Sequence, residues 1–211
     1  MLEVIEKIKN KWSHIEVIAG NVATPHGTMD LINAGADAIK VGIGPGSMCT
    51  TRVITGCGMP QLTAVAMCSL EADKFDIPVI ADGGIKTSGD IVKALSSGAC
   101  SVMLGSLLSG TLETPGLIEK GHKLYRGMAS KSAQASWRGG VPKGMAAEGE
   151  STKIPVKGPV AYVVEELMGG LRSGMTYLNA TTVAEIRENA QFMRMTSAGF
   201  SESRAHGLTH Y

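Results

Sequence analysis

Within Gly42-Ile43-Gly44-Pro45-Gly46-Ser47-Met48-Cys49-Thr50-Thr51-Arg52, three glycines and a proline bend the chain just before a hydroxyl, Ser47, and a thiol, Cys49. A glycine-rich turn that follows a strand can aim successive backbone N–H groups at an anion, because no Cβ blocks the approach. A thiol held over such a turn is a candidate nucleophile. The same residues would also suit a tight turn around a buried structural cysteine, since free cysteines commonly pack as small hydrophobes. The other cysteines, Cys57, Cys68 and Cys100, show no CxxC or zinc-type spacing and are read as packing residues. His14, His26, His122, His206 and His210 form no metal-ligand pattern, so no zinc site is expected.

The elements that must carry this turn are legible as an alternation. Short β-branched runs at 17–19, 38–43, 77–81 and 101–104 read as buried parallel strands, and segments such as 28–34 and 89–96 between them read as helices. Such a βα series builds a parallel sheet. A weak internal repeat supports it: Leu31-x-x-x-Gly35-Ala36-x-x-Ile39-x-Val41-Gly42 returns as Leu95-x-x-Gly98-Ala99-x-x-Val102-x-Leu104-Gly105. Each copy ends a helix at Gly-Ala, adds a strand and closes on a glycine at the strand's C-terminal end, where a (β/α)₈ TIM barrel keeps its active site. Four strands make half of such a barrel. The expected fold is therefore α/β, the C-terminal half of a (β/α)₈ barrel with parallel strands, as a fragment of a longer chain or completed by a second copy. Residues 1–110 form the half barrel and 111–158, rich in Gly, Pro, Ser and Lys, form a mobile loop and flap. Residues 159–211 supply closing helices, at 158–180 and 181–193, and a tail from 196 without clear period.

With 211 residues, 44% of them hydrophobic, the chain can bury one sizeable core. Its formal charge of +1 excludes a global field for nucleic acid or an anionic membrane, so any phosphate site must be local. No apolar run approaches the roughly 18 residues of a membrane span, and the amphipathic start MLEVIEKIKNKW does not read as a signal peptide. A cytoplasmic protein with reduced thiols and no membrane partner is expected.

The segment GIGPGSMCTTR resembles the active-site loop of the IMP dehydrogenase and GMP reductase family. Gly20-Asn21-Val22, Ala81-Asp82-Gly83-Gly84-Ile85, Met103-Leu104-Gly105-Ser106-Leu107 and Tyr125-Arg126-Gly127-Met128-Ala129-Ser130 are similar to further segments of that family, in the family's order. The resemblance implies that Cys49 adds to C2 of a purine nucleotide, giving an adduct that exchanges hydride with a nicotinamide. It implies that Ser47, Gly84, Gly105, Ser106 and Tyr125 hold the 5′-phosphate, and that Asp82 accepts from the ribose hydroxyls. Gly127 and Met128 would present backbone groups to the base, and Asn21 would lie beside the nicotinamide. A potassium-type cation on backbone carbonyls of Gly44, Gly46 and Cys49, near residues 202–204 of a neighbouring tail, and a homotetramer are implied in the same way. Without the resemblance, Asp82 reads as a turn former, Ser106 as a helix N-cap and Tyr125 as a half-buried packing residue.

Two reactions divide the family. The barrel segments, with the ending Phe192-Met193-Arg194-Met195-Thr196-Ser197-Ala198-Gly199, are closer to bacterial IMP dehydrogenases, which take IMP to XMP with NAD and hydrolyse the adduct using an Arg-Tyr pair on a flap. No Arg-Tyr dipeptide occurs between Ser130 and Pro159. The stretch Gly139-Gly140-Val141 through Ala147-Glu148-Gly149 instead resembles GMP reductases, which form the adduct by expelling ammonia from GMP and use NADPH. Glu148 and Thr51 would then handle the proton beside Cys49. One departure is Gly144-Met145, where GMP reductases usually carry Tyr-Arg. The expected function is GMP reductase; the alternatives are IMP dehydrogenase and an inactive nucleotide-binding half barrel.

Overall fold

The structure, a computed structural model, describes residues 1–205. Strands β1 (Ile18–Val22), β2 (Ala38–Val41), β3 (Val79–Asp82) and β4 (Ser101–Met103) form one parallel sheet in chain order. Helices α2 (Pro25–Asn33), α4 (Gln61–Ala72) and α5 (Ser88–Ser96) make the crossovers, after α1 (Leu2–Lys11) and the short α3 (Thr51–Thr55). The expected half barrel is what forms. Its strand limits shift for local reasons. β1 runs on to Val22, past an irregularity in its pairing between Gly20 and Val22. β2 stops at Val41 because Gly42 turns at φ +151°, where an added Cβ would lie 2.1 Å from the Asp82 carbonyl oxygen.

The helix starts follow from capping. Thr24 accepts from the Gly27 N–H ahead of Pro25, and Thr87 forms a capping box with Asp90. Ile39, Val41, Val79 and Ala81 are buried against Leu31, Val65, Cys68, Ile91, Leu95 and Ile186. Each such aliphatic side chain contributes roughly 1.5–3 kcal/mol on full burial. The alternate sheet positions, Ile18, Lys40, Ile80, Asp82 and Met103, face what would be the barrel interior; Ile18 and Met103 are 60% and 49% exposed.

Residues 111–158, expected to be irregular, hold more order than their composition implies. Strands β5 (His122–Arg126) and β6 (Ser151–Pro155) pair antiparallel around α6 (Lys131–Arg138). Their sequences, HKLYR and STKIP, lack the apolar runs that mark a core strand, so only pairing with each other defines them. Two lysines brace this excursion, one within itself and one against the loop that follows β4. The buried Lys123 ammonium donates to the carbonyls of Thr111, Leu112 and Thr114 at 2.9, 3.0 and 2.5 Å. Lys157 donates to those of Ser106 and Leu107 at 3.0 and 3.1 Å.

The chain closes with α7 (Val160–Tyr177), α8 (Val183–Asn189) and α9 (Ser197–Glu202). α7 meets α5 at close range because Gly170 and Gly174 lie against Ser88 and Val92, where a Cβ would come within 2.4 Å and 2.6 Å of side-chain carbons. The tail read as aperiodic forms α9, a six-residue helix capped by Thr196 and too short to show a period; residues 206–211 lie outside the described part. Cys57 and Cys100 are exposed, so of the three cysteines expected to pack only Cys68 does, and burial pushes its thiol up. Cys57 falls in the loop after α3 and Cys100 just before edge strand β4, both at the surface. Among the described residues no helix is long and apolar enough to cross a membrane.

Candidate active site

Every strand of the sheet delivers a candidate residue at its C-terminal end: Asn21 on β1, the 42–49 turn after β2, Asp82 on β3 and Gly105 after β4. A parallel sheet points all its strands one way, so residues far apart in sequence meet on one rim. The turns touch. A Cβ on Gly83 would lie 2.9 Å from Pro45, and one on Gly84 would contact Gln61 and Pro45. The 82–84 turn therefore seats against the cysteine loop.

Cys49 is half-buried, not enclosed as a structural thiol would be. Its Sγ donates to Thr51 Oγ1 at 3.1 Å, and Thr51 Oγ1 donates to Glu148 Oε2 at 2.7 Å. Backbone bonds hold that chain in place. The Thr50 N–H donates to the Glu148 carbonyl at 3.1 Å, the Glu150 N–H to the Met48 carbonyl at 2.9 Å and the Glu148 N–H to the Ala129 carbonyl at 3.1 Å. Residues 147–150 are thus laced between the cysteine loop and the 127–130 segment. Gly127 and Gly149 each pack on the Met48 carbonyl, where a Cβ would approach to 3.2 Å.

A second cluster forms around Tyr125, whose hydroxyl lies 3.0 Å from Ser47 Oγ, with Gly105 beside it. Tyr125 is half-buried, and its hydroxyl faces Ser47. Between the clusters lies a cleft of about 220 Å³ lined by Ser47, Cys49, Tyr125, Gly127, Met128 and Glu148. It opens beside a groove of about 620 Å³ that includes Gly105, Tyr125 and Arg126. Ser106 starts no helix: residues 106–110 form successive turns, and its carbonyl accepts from Lys157 and Ser109.

Asp82 sits in a third group. Its Oδ2 accepts from Asn21 Nδ2 at 2.9 Å and from the Lys40 ammonium, while Asn21 Nδ2 also reaches the Gly42 carbonyl at 2.9 Å. Gln61 Nε2 bridges the carbonyls of Val41 and Asp82 at 2.9 and 3.1 Å. Neither Lys40 nor Gln61 stands out in the sequence. The available signal for Lys40 is a charged residue inside the otherwise apolar strand AIKV; Gln61, at the start of α4, has none. At the turn, the Gly46 carbonyl accepts from the Cys49 N–H at 3.1 Å. Among the described residues no group of three or more His, Cys, Asp and Glu could hold a metal ion.

Residues 1–206 match the model of the IMP dehydrogenase / GMP reductase domain. The chain is similar to the inosine-5′-monophosphate dehydrogenase of Aquifex aeolicus, 51% identical over 218 residues, covering 99% of this chain and 44% of that protein. It is similar to that of Helicobacter pylori strain 26695, 49% identical over 219 residues, covering 99% and 45%. Its fold matches a GMP reductase from Trypanosoma brucei, solved as a Cys-to-Ala variant in complex with guanosine 5′-monophosphate. There the TM-score is 0.91 at 42% identity, covering 99% of this chain and 45% of that one. The chain thus spans a little under half the length of these relatives.

Proposed function

Because the chain belongs to the IMP dehydrogenase / GMP reductase family, we propose that it carries the cysteine-bearing half of a purine-nucleotide oxidoreductase, and that the reaction is reductive deamination of GMP to IMP and ammonia. The observation that carries this reading is the hydrogen-bonded chain from Cys49 through Thr51 to Glu148. Expelling an amine from C2 needs a nucleophile and a proton delivered to the leaving nitrogen, and the chain aligns both. Cys49 gives up its thiol proton along the chain through Thr51 to Glu148 as Sγ bonds to C2; the bond from C2 to the exocyclic nitrogen then breaks, and ammonia leaves with that proton returned from Glu148 through Thr51. Collapse of the reduced adduct returns the electron pair to sulfur.

NADPH is the proposed reductant. The Asn21 side-chain oxygen carries no hydrogen bond among the described residues, which suits it to accept from a nicotinamide carboxamide. When bound, the reduced nicotinamide supplies the hydride that goes to C2. Ser47, Gly105, Ser106 and Tyr125, with Gly84, are the proposed holders of the 5′-phosphate, and Gly127 and Met128 of the base. A potassium ion on the carbonyls of Gly44, Gly46 and Cys49 belongs to the same proposal. So does a homotetramer, to which the exposed Leu117, Tyr177 and Phe200 would contribute apolar surface.

A second reading, oxidation of IMP to XMP with NAD, is favoured by the names of the relatives near 50% identity. Against it stands the lack of an Arg-Tyr pair between Ser130 and Pro159 to activate water. Supplying the complete enzyme with GMP and NADPH, and separately with IMP and NAD, separates the two by nicotinamide absorbance. Turnover of the first pair with release of ammonia is expected; turnover of the second alone overturns the reductase reading.

A further inference from the structure

We propose that Lys40 is a positioning residue for ribose selectivity: by occupying one oxygen of Asp82 it aims the other at the ribose hydroxyls, and so sets a preference for ribonucleotides over deoxyribonucleotides. The inference rests on the nucleotide reading given above.

Strand register explains how Lys40 reaches its partner. Lys40 pairs with Ile80, so Asp82 lies two residues further along β3, about 6.6 Å up the same inner face. A lysine side chain spans that gap; shorter cationic or polar residues do not. Met103 pairs with Asp82 from the far side, and its sulfur lies 3.7 Å from the ammonium. Asn21 approaches the same Oδ2 from β1. Side chains of β1 and β2 therefore meet the β3 carboxylate, with Met103 of β4 against the ammonium, and two donors occupy a single oxygen of it.

The other oxygen, Oδ1, carries no hydrogen bond among the described residues. Gln61 meanwhile fixes the backbone carbonyl of Asp82. With the backbone held below and Oδ2 held to the side, the carboxylate plane cannot turn, and Oδ1 is left as a preset acceptor on the rim where the phosphate and cysteine turns also end. The ammonium has a second effect. A bare carboxylate would repel the phosphate of an incoming nucleotide, and a cation in direct contact offsets that charge. Asn21 alone supplies neither the charge nor a second anchor.

The test is equilibrium binding of GMP and of 2′,3′-dideoxy-GMP to the complete enzyme, in the wild type and in the variants Lys40→Met, Lys40→Arg and Asp82→Asn. A hydrogen bond to a charged acceptor is lost with the hydroxyls, so the wild type should favour GMP by roughly 10- to 100-fold. Asp82→Asn and Lys40→Met should both reduce that ratio to within about threefold, and Lys40→Arg should retain most of it. Lys40→Gln replaces Lys40→Met should the latter not fold. A role in holding the sheet together would lower the melting temperature and leave the ratio intact; that outcome overturns the inference. A wild type that binds GMP without discriminating also overturns it while the nucleotide reading stands. A wild type that binds neither compound removes both.

Discussion

Replacing Glu148 by Gln is the perturbation that most directly addresses the proposed chemistry. The substitution keeps side-chain volume and a hydrogen bond to Thr51, now 2.7 Å from Glu148 Oε2, but an amide cannot take up and return the proton that the leaving amine requires. Local structure should survive, because main-chain bonds to Thr50 and Ala129 hold the residue. General acid catalysis by one positioned group contributes about 10²- to 10⁴-fold, or roughly 2.7–5.4 kcal/mol of barrier. That whole factor should appear in kcat for GMP. KM should move by less than about threefold, since the Tyr125 and Asp82 groups that would bind the nucleotide are untouched and a loss confined to the transition state leaves ground-state binding alone. Initial rates of NADPH oxidation over a range of GMP concentrations measure both constants, and a thermal melt checks that folding is unchanged. A kcat within about fivefold of wild type would mean that Glu148 only braces the cysteine loop, and the proton-delivery argument would fall.

Cys49→Ala should abolish turnover while nucleotide binding, measured calorimetrically, persists; residual turnover near wild type removes Cys49 as nucleophile. Asp37 accepts from Lys9 at 2.9 Å and from the Val17 N–H at 2.7 Å, and these bonds, the lysine's first, hold its carboxyl below the usual carboxylate range. A depressed folded-state pKa adds stability above the unfolded value of 3.8 that is lost as pH falls through the folded value. Asp37→Asn should therefore be less stable than wild type at neutral pH, by no more than about 1 kcal/mol for a part-buried pair that solvent still screens, and the difference should vanish in acid unfolding curves below that range. The isolated segment 1–211 should associate or melt without cooperativity, because among the described residues edge strands β1 and β4 are unpaired on one side and Ile18 and Met103 stand exposed. A cooperatively melting monomer by light scattering and calorimetry would show that the half barrel needs no partner.

The sequence by itself determined which segments become βα units and where the cysteine turn falls. Both are local matters: β-branched runs, Gly-Ala helix ends and the glycine at Gly42 constrain the backbone over a few residues, whatever the rest of the chain does. The closeness of the 147–150 segment to Cys49 was legible through family resemblance alone, since Thr51 and Glu148 are 97 residues apart and no periodicity links them. Pairing of β5 with β6 escaped the sequence because polar strands owe their existence to a partner rather than to a core. Lys40 and Gln61 escaped it for a related reason. Their significance lies in which atoms parallel strands bring level with each other, and register is fixed by packing of the opposite, helix-facing side of the sheet. Asp82 can be named from the string Ala81-Asp82-Gly83-Gly84, but that its Oδ2 is occupied and its Oδ1 open follows only from three neighbouring strands meeting at one height.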